Sequence, residues 1–131
     1  MPDRCKYDYA VIRVVPRVER EEFVNVGVIV SCPDREFLEA RIELDERRVL
    51  ALDPAADLPA IRAHLATIPL ICAGGEGAGP IGKLPMRERF HWLTAARSTI
   101  IQTSPAHTGQ LEEPEAAIER LLETMVRVSS A

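Results

Sequence analysis

The sequence has no long apolar run, and none of its runs approaches the roughly 18–20 residues that a membrane helix needs. The charged residues 1–6 lack the pattern of a signal peptide, so we expect no membrane association. Positive charge is not in excess either, since 16 Lys and Arg against 20 Asp and Glu give a net charge of −4. A broad nucleic-acid-binding surface is therefore not expected, because a phosphate backbone binds clustered positive charge.

Cysteine is scarce, with only Cys5, Cys32 and Cys72 in the whole chain. A disulfide framework favours an even number of cysteines, and no Cys-x-x-Cys pair is present for zinc. We therefore predict three reduced, buried thiols and a cytoplasmic location. The three histidines do not stand at metal-ligand spacing, so neither a metal site nor a cofactor is predicted.

Length and composition indicate one globular unit. The chain has 131 residues, of which 47% are hydrophobic and 27% charged, a balance typical of a folded protein. We therefore predict a single domain over residues 1–131.

The first third of the chain has the pattern of β-strands, predicted at 7–15, 23–30 and 37–44. Strict alternation along the second strand would place four valines on one face, namely Val24, Val26, Val28 and Val30. Gly27 within this strand indicates a bulge or a close backbone approach.

Helical spacing follows. Asp57 is a good N-cap for a helix that Pro69 should end or kink. A second helix is predicted from Pro85 to about Arg97, followed by a short fourth strand over 98–103. A final helix begins at Pro114, and its buried face comprises Ile118, Leu121, Leu122 and Met125. These elements predict an α+β fold, a small antiparallel sheet of three to four strands with three helices packed mainly on one face.

A glycine-rich stretch, Gly74–Gly82, contains a match to G-x-x-x-x-G-K that ends at Lys83. A phosphate-binding loop needs a hydroxyl after the lysine, where this chain has Leu84, and Pro80 removes a backbone donor. We therefore interpret the stretch as a surface loop.

Three positions are unusual for their predicted elements. Arg13 lies in mid-strand, where it needs solvent or a partner such as Glu22 or Asn25. Arg97 either stabilises a helix C-terminus or, with the following serine, binds an anion. His107 falls in a predicted loop, 104–109, and can exchange a proton near neutral pH.

Two separated segments also resemble a known family. The first comprises Tyr7–Pro16 and Glu22–Val28, and the second comprises Phe90–Ala95, Arg97–Gln102 and, around the predicted loop, Ser104-Pro105 and His107-Thr108-Gly109. Both are similar to DUF3037, a bacterial family catalogued only as a domain of unknown function. The resemblance covers nearly the whole chain, although the middle, 53–83, matches less clearly.

The resemblance implies a small cytosolic protein. Members of the family are also often encoded beside HipA-like kinases. That neighbourhood implies an accessory or regulatory role with a protein partner, the first of two hypotheses. The candidate polar site comprises the polar residues that match the family's segments: Arg13, Glu22, Asn25, Arg97, Ser98, Gln102, His107 and Thr108.

The alternative hypothesis is a small-ligand or anion-binding domain, or an enzyme that acts on a phosphorylated substrate. It requires Arg13, Arg97, Ser98 and His107 to converge in one cleft. Whether the chain is an enzyme stays open at this stage. A homo-oligomer is a further expectation, because an exposed sheet edge can pair with a second copy.

Overall fold

The computed structural model describes residues 5–109 and 112–128. Within them, one antiparallel sheet contains five strands: β1 Asp8–Val14, β2 Val24–Cys32, β3 Phe37–Ile42, β4 Ile101–Thr103 and β5 His107–Thr108. Four α-helices are present: α1 Glu46–Leu52, α2 Leu58–Ala73, α3 Met86–Thr94 and α4 Pro114–Leu121. A π-helical turn, Leu122–Val126, continues α4, and short 3-10 segments occur at Val18–Arg20, Pro33–Arg35 and Glu76–Lys83.

The strand order is β3-β2-β1-β4, and β5 pairs with β1 on the same side as β4. The α+β class with an antiparallel sheet is therefore confirmed, with one strand and one helix more than predicted. The additional strand is β5, where His107 and Thr108 were expected in a loop. They extend because they pair with Tyr9 and Asp8 of β1.

Helices cover both faces of the sheet. The buried side chains of α2 and α3, with Val49 of α1, pack against one face. The prediction that the three helices pack mainly on one face therefore holds for the helices that begin near Asp57 and Pro85, and it is wrong for the helix that begins at Pro114. The fourth helix, α4, packs with its π-helical turn against the opposite face, around Val28, Val30 and Tyr7. The chain therefore has two hydrophobic cores, separated by the sheet.

The central strand β2 contains a β-bulge, which changes which of its side chains enter each core. Ile12 pairs with Gly27 whereas Arg13 pairs with Asn25, which leaves Val26 as the extra residue. One extra residue inverts the alternation of side chains along a strand. The prediction that four valines share one face is therefore wrong.

The valines divide at the bulge. Val24 and Val26 lie in the core beneath α1–α3, and Val28 and Val30 lie in the core beneath α4. Gly27 lies at the bulge, where the side-chain alternation of β2 inverts, which confirms the predicted bulge and close backbone approach. A Cβ atom at Gly27 would lie 2.5 Å from the carbonyl oxygen of Arg41 on the neighbouring strand, so only glycine fits.

We expect Gly27→Ala to lower the free energy of unfolding by about 1–3 kcal/mol, because the added methyl group must displace the backbone of β3. Gly77→Ala is the matched control, since a Cβ atom there meets nothing within 4 Å. The control should change stability by no more than about 0.5 kcal/mol. Urea denaturation followed by circular dichroism measures both, and equal stability of the two variants would contradict the role of the bulge.

The predicted helix starts and ends are partly correct. The Asp57 carboxylate accepts a hydrogen bond from the amide of Ala60 at 3.1 Å, which confirms the N-cap of α2. Pro69 does not end α2, which continues to Ala73 because Ile71 and Cys72 are buried in the core. Met125, predicted on the buried face of the last helix, is 39% exposed because the π-helical turn shifts the residues after Leu121.

The glycine-rich stretch folds into 3-10 turns next to α2 and is closed by a hydrogen bond from the amide of Gly75 to the carbonyl of Gly82. The buried Arg89 holds this segment in place, since its guanidinium donates to the carbonyls of Leu84 and Cys72.

Within the described residues, no single helix is long and apolar enough to cross a membrane. The helix α2 and the segment Glu76–Lys83 reach the necessary length and apolar character only when taken together, and they are bent by 64° relative to each other.

The prediction of three free thiols is wrong. Cys5 and Cys32 are joined in a disulfide, because the N-terminal segment pairs with Glu112 and runs beside the end of β2. Because 27 residues separate the two cysteines, no local sequence pattern indicates that they are close in the fold. Cys72 is the free cysteine, and burial raises the pKa of its thiol to about 12.

Candidate functional site

Three of the predicted polar residues come together in a row across the sheet. Arg13 in the middle of β1 pairs with Asn25 of β2 on one side and with Gln102 of β4 on the other. Residues directly opposite each other on neighbouring strands project to the same face. Because Ile12 and Val14 belong to the core beneath α1–α3, the Arg13 row (Arg13, Asn25 and Gln102) faces the side that carries α4.

The Arg13 guanidinium is half-buried, and none of the described carboxylates pairs with it. Its Cζ atom lies 4.0 Å from the centroid of the Phe23 ring, a cation–π contact. Its Nε atom is buried and makes no hydrogen bond within the described part of the chain. Burial lowers the pKa of Arg13 below its ordinary value. The side chain therefore carries a desolvated positive charge that the described residues do not neutralise.

Asn25 connects this row to the π-helical turn. Its amide nitrogen donates to the carbonyl of Met125 at 3.0 Å, while its buried Oδ1 atom accepts no hydrogen bond from any described residue. Isolated π-turns are rare and occur frequently at functional sites. Gln102 is anchored from the opposite side, since its amide donates to the carbonyl of Thr99 at 2.8 Å.

Two apolar side chains border the row on the protein surface. Phe23 is 45% exposed and Met125 is 39% exposed, which is high for large apolar residues. We call the five residues Arg13, Phe23, Asn25, Gln102 and Met125 the Arg13 surface. Neither apolar residue was a predicted site residue, although Phe23 stands two positions before Asn25 and so shares its strand face.

The remaining predicted residues on this side lie away from Arg13. Glu22, suggested as its partner, instead pairs with Arg20 at 2.6 Å on an exposed turn. The His107 ring packs against Tyr9 at 5.5 Å, four residues along β1 from Arg13, which corresponds to about 13 Å at the usual rise of a strand. The Thr108 hydroxyl donates to Asp8 at 3.1 Å.

Arg97 lies on the other side of the sheet. Its guanidinium donates to the carbonyls of Trp92 and Leu93 at the end of α3, at 2.6 and 3.0 Å. This geometry supports the interpretation as a helix C-terminal arginine. Ser98 follows in the exposed segment after α3. The sheet separates Arg97 from Arg13, so the convergence that the alternative hypothesis requires is not observed.

A family model described as "Protein of unknown function (DUF3037)" matches residues 9–126. The chain belongs to this family. The match contains every residue of the Arg13 surface, so this DUF3037 protein carries that surface within the family's own domain. Neither the curated proteins nor the solved structures contain a match to the chain.

Another charged cluster in the DUF3037 protein is satisfied internally. Arg127 donates to both carboxylate oxygens of Glu43 at 2.8 Å, and also to Glu119 and Glu123 at 2.5 and 2.8 Å. Hydrogen bonds from Arg127 lower the pKa of Glu43 and of Glu119. The cluster ties the end of β3 to α4 and is therefore structural. Groups of three or more metal-ligating side chains are not found in the described ranges.

Arg127→Gln should destabilise the protein at pH 7 and have a smaller effect in acid. The lowered pKa values mean that these carboxylates stabilise the fold above their unfolded-state pKa, about 4.3, and that this contribution is lost as the pH falls through their folded-state values. Urea denaturation of both proteins from pH 7 to pH 2 measures the difference. A difference that stays constant over this range would contradict the assignment.

Tyr7 is a buried polar side chain whose hydrogen-bonding groups all have partners, and it provides a comparison for Arg13. The Tyr7 hydroxyl, on a side chain 1% exposed, donates to Glu112 at 2.9 Å and accepts from Arg120 at 2.6 Å. Burial, reinforced by Glu112, raises the pKa of Tyr7. Arg13 has no comparable arrangement, which suggests that its charge does not serve the stability of the fold.

Arg13→Met tests this directly. The methionine can cover Phe23, while the buried Nε atom with no partner is removed, so stability should stay within about 0.5 kcal/mol of the wild-type value or rise. Tyr7→Phe is the comparison, and it should cost about 1–2 kcal/mol because it removes a hydroxyl that bonds two charged groups. Thermal and urea unfolding measure both variants. A larger loss for Arg13→Met than for Tyr7→Phe would show that Arg13 is structural.

Proposed function

We propose that this DUF3037 protein is an accessory or regulatory protein that binds a protein partner through the Arg13 surface. One observation carries the proposal: a half-buried guanidinium without a carboxylate partner in the described residues stacks on the exposed ring of Phe23. Burying an uncompensated charge is unfavourable for an isolated fold. A partner that supplies the missing carboxylate would remove this cost.

The chemistry of the surface defines what it would bind. A guanidinium donates two parallel hydrogen bonds to a carboxylate, and its stacking on Phe23 fixes the plane in which that carboxylate must lie. Phe23 and Met125 offer apolar contacts on either side. The expected ligand is therefore an aspartate or glutamate of the partner with an apolar residue beside it. Arginine and exposed aromatic residues are the side chains that most often dominate binding energy at interfaces.

The row supports binding rather than catalysis. Its polar groups are a guanidinium and two carboxamides, and none of them is a nucleophile or a general base at neutral pH. The HipA-like kinase that the family resemblance implies is the first partner to test. The cytoplasmic location expected from the sequence stays a prediction.

Binding of the kinase to Arg13→Gln is the direct test. Removing one member of a close charge pair at an interface costs about 2–5 kcal/mol, so the dissociation constant should rise at least about tenfold. Arg62→Gln is the control, because Arg62 lies on α2 on the other side of the sheet and is half-exposed. It removes the same charge and should leave the affinity unchanged. Biolayer interferometry with the purified kinase measures both variants.

Two results would overturn the proposal. The first is the absence of any complex between the wild-type protein and the kinase at micromolar concentration. The second is an equal loss of affinity in Arg13→Gln and Arg62→Gln, which would indicate a dependence on overall charge rather than on the Arg13 surface.

A further inference from the structure

A cavity of about 280 Å³ lies between α2, α3 and the edge strand β4, and Gln102, which belongs to the Arg13 surface, also lines it. Ile68 and Ile71 of α2 and Ile101 of β4 form apolar walls, and Trp92 and Arg97 lie at the end of α3. Small-molecule sites are typically apolar, span roughly 300–1,000 Å³ and contain a few polar groups that orient the ligand. This cavity, at about 280 Å³, is slightly smaller than that range and can hold only a small molecule.

Arg97 is the cationic group of this cavity. All of its hydrogen bonds run from the two terminal nitrogens to the backbone carbonyls of Trp92, Leu93 and Ala95. Its Nε atom has no partner among the described residues, and no described carboxylate pairs with the guanidinium. The positive charge is therefore oriented by neutral groups and stays available to an anion.

Trp92 gives the cavity a large apolar surface beside this charge. The Trp92 side chain is 41% exposed, and the Arg97 guanidinium lies 4.6 Å from its ring centroid. An exposed tryptophan next to a cation that it holds in place fits a ligand with an apolar body and an anionic end.

The surroundings of Arg97 favour a single negative charge. The carbonyls that orient it belong to the C-terminal end of α3, where the helix dipole is negative. A phosphate dianion would meet these carbonyls with only one guanidinium to balance its charge. A carboxylate needs a single cation and fits the available N–H group.

We infer that this cavity binds a small apolar carboxylic acid, with its carboxylate at Arg97 and its hydrocarbon part between Trp92 and the isoleucines of α2 and β4. The inference does not rest on the proposed function, because it is argued from Arg97 and Trp92 and not from Arg13, although Gln102 of the edge strand β4 belongs to the Arg13 surface and also lines the cavity. It assigns to the protein a small-molecule site in addition to the proposed partner surface.

The probes are hexanoate and N-acetyl-leucine, which carry this chemistry as a free acid and as a peptide-like carboxyl terminus. Trp92 is the single tryptophan of the chain, so its fluorescence and its indole N–H signal in a nitrogen–proton correlation spectrum report directly on the cavity. Saturable changes with either probe support the inference. Hexanamide, which has the same shape without the charge, should bind at least tenfold more weakly, and inorganic phosphate should leave both signals unchanged.

Variants distinguish binding in this cavity from a general effect of charge on the protein. Arg97→Gln should weaken hexanoate binding at least tenfold, and Arg97→Lys, which keeps the charge, should restore part of it. Thr67→Phe fills the mouth of the cavity from the exposed side of α2 and should also abolish binding without disturbing the end of α3. Arg47→Gln on α1, which removes a charge elsewhere, is the matched control and should bind normally.

Three outcomes would overturn the inference. The first is that neither probe changes the Trp92 signals at millimolar concentration. The second is that hexanamide binds as tightly as hexanoate. The third is that the Thr67→Phe variant binds hexanoate as tightly as the wild-type protein does. Circular dichroism of each variant confirms that the fold is intact before binding is measured.

Discussion

The bulge at the β1–β2 pairing is the constraint on which the rest of the structure depends. One extra residue in β2, at Val26, inverts the side-chain alternation, so two of the four valines enter each core. Without it, all four valines would face one side of the sheet, and Asn25, Gly27 and Ile29 would face the other. The close approach of the Gly27 backbone to β3 makes this inversion sterically feasible. The bulge therefore divides the apolar side chains of β2 between the helices on the two faces.

The sheet also separates two arginines that share an unusual environment. Arg13 stacks on Phe23 and Arg97 stacks on Trp92, and neither has a carboxylate partner among the described residues. Most of the other described arginines pair with acids, as Arg127 does with three glutamates. In a chain of net charge −4, acids for pairing are plentiful. These two cations, each beside an exposed aromatic ring, are the basis of the two binding sites that we propose.

Much of the fold could be predicted from local patterns. The Asp57 cap, the first three strands and the α+β class depend on residues close together in the chain. The prediction that assumed unbroken strand alternation was wrong, as the four valines show. Of the two effects predicted for Pro69, to end or to kink the helix, the first is not observed, because α2 continues to Ala73. For the candidate site, Arg13 stood out as a charged residue in mid-strand, whereas Asn25 and Gln102 were chosen as polar residues that match the family's segments, and only the strand pairing places the three in one row. The exposure of Phe23, Met125 and Trp92 had no comparable local signal.

By itself, the sequence determined which segments become strands and helices and which charged residues lie in unusual places, because both follow from neighbours within a few positions. Only the tertiary structure decided that Cys5 meets Cys32, that Glu22 pairs with Arg20 instead of Arg13, and that Arg13 and Arg97 face opposite sides. The physical reason is that strand register and the direction of each side chain depend on a single inserted residue. Such an insertion is set by packing between distant segments and leaves no periodic trace in the chain.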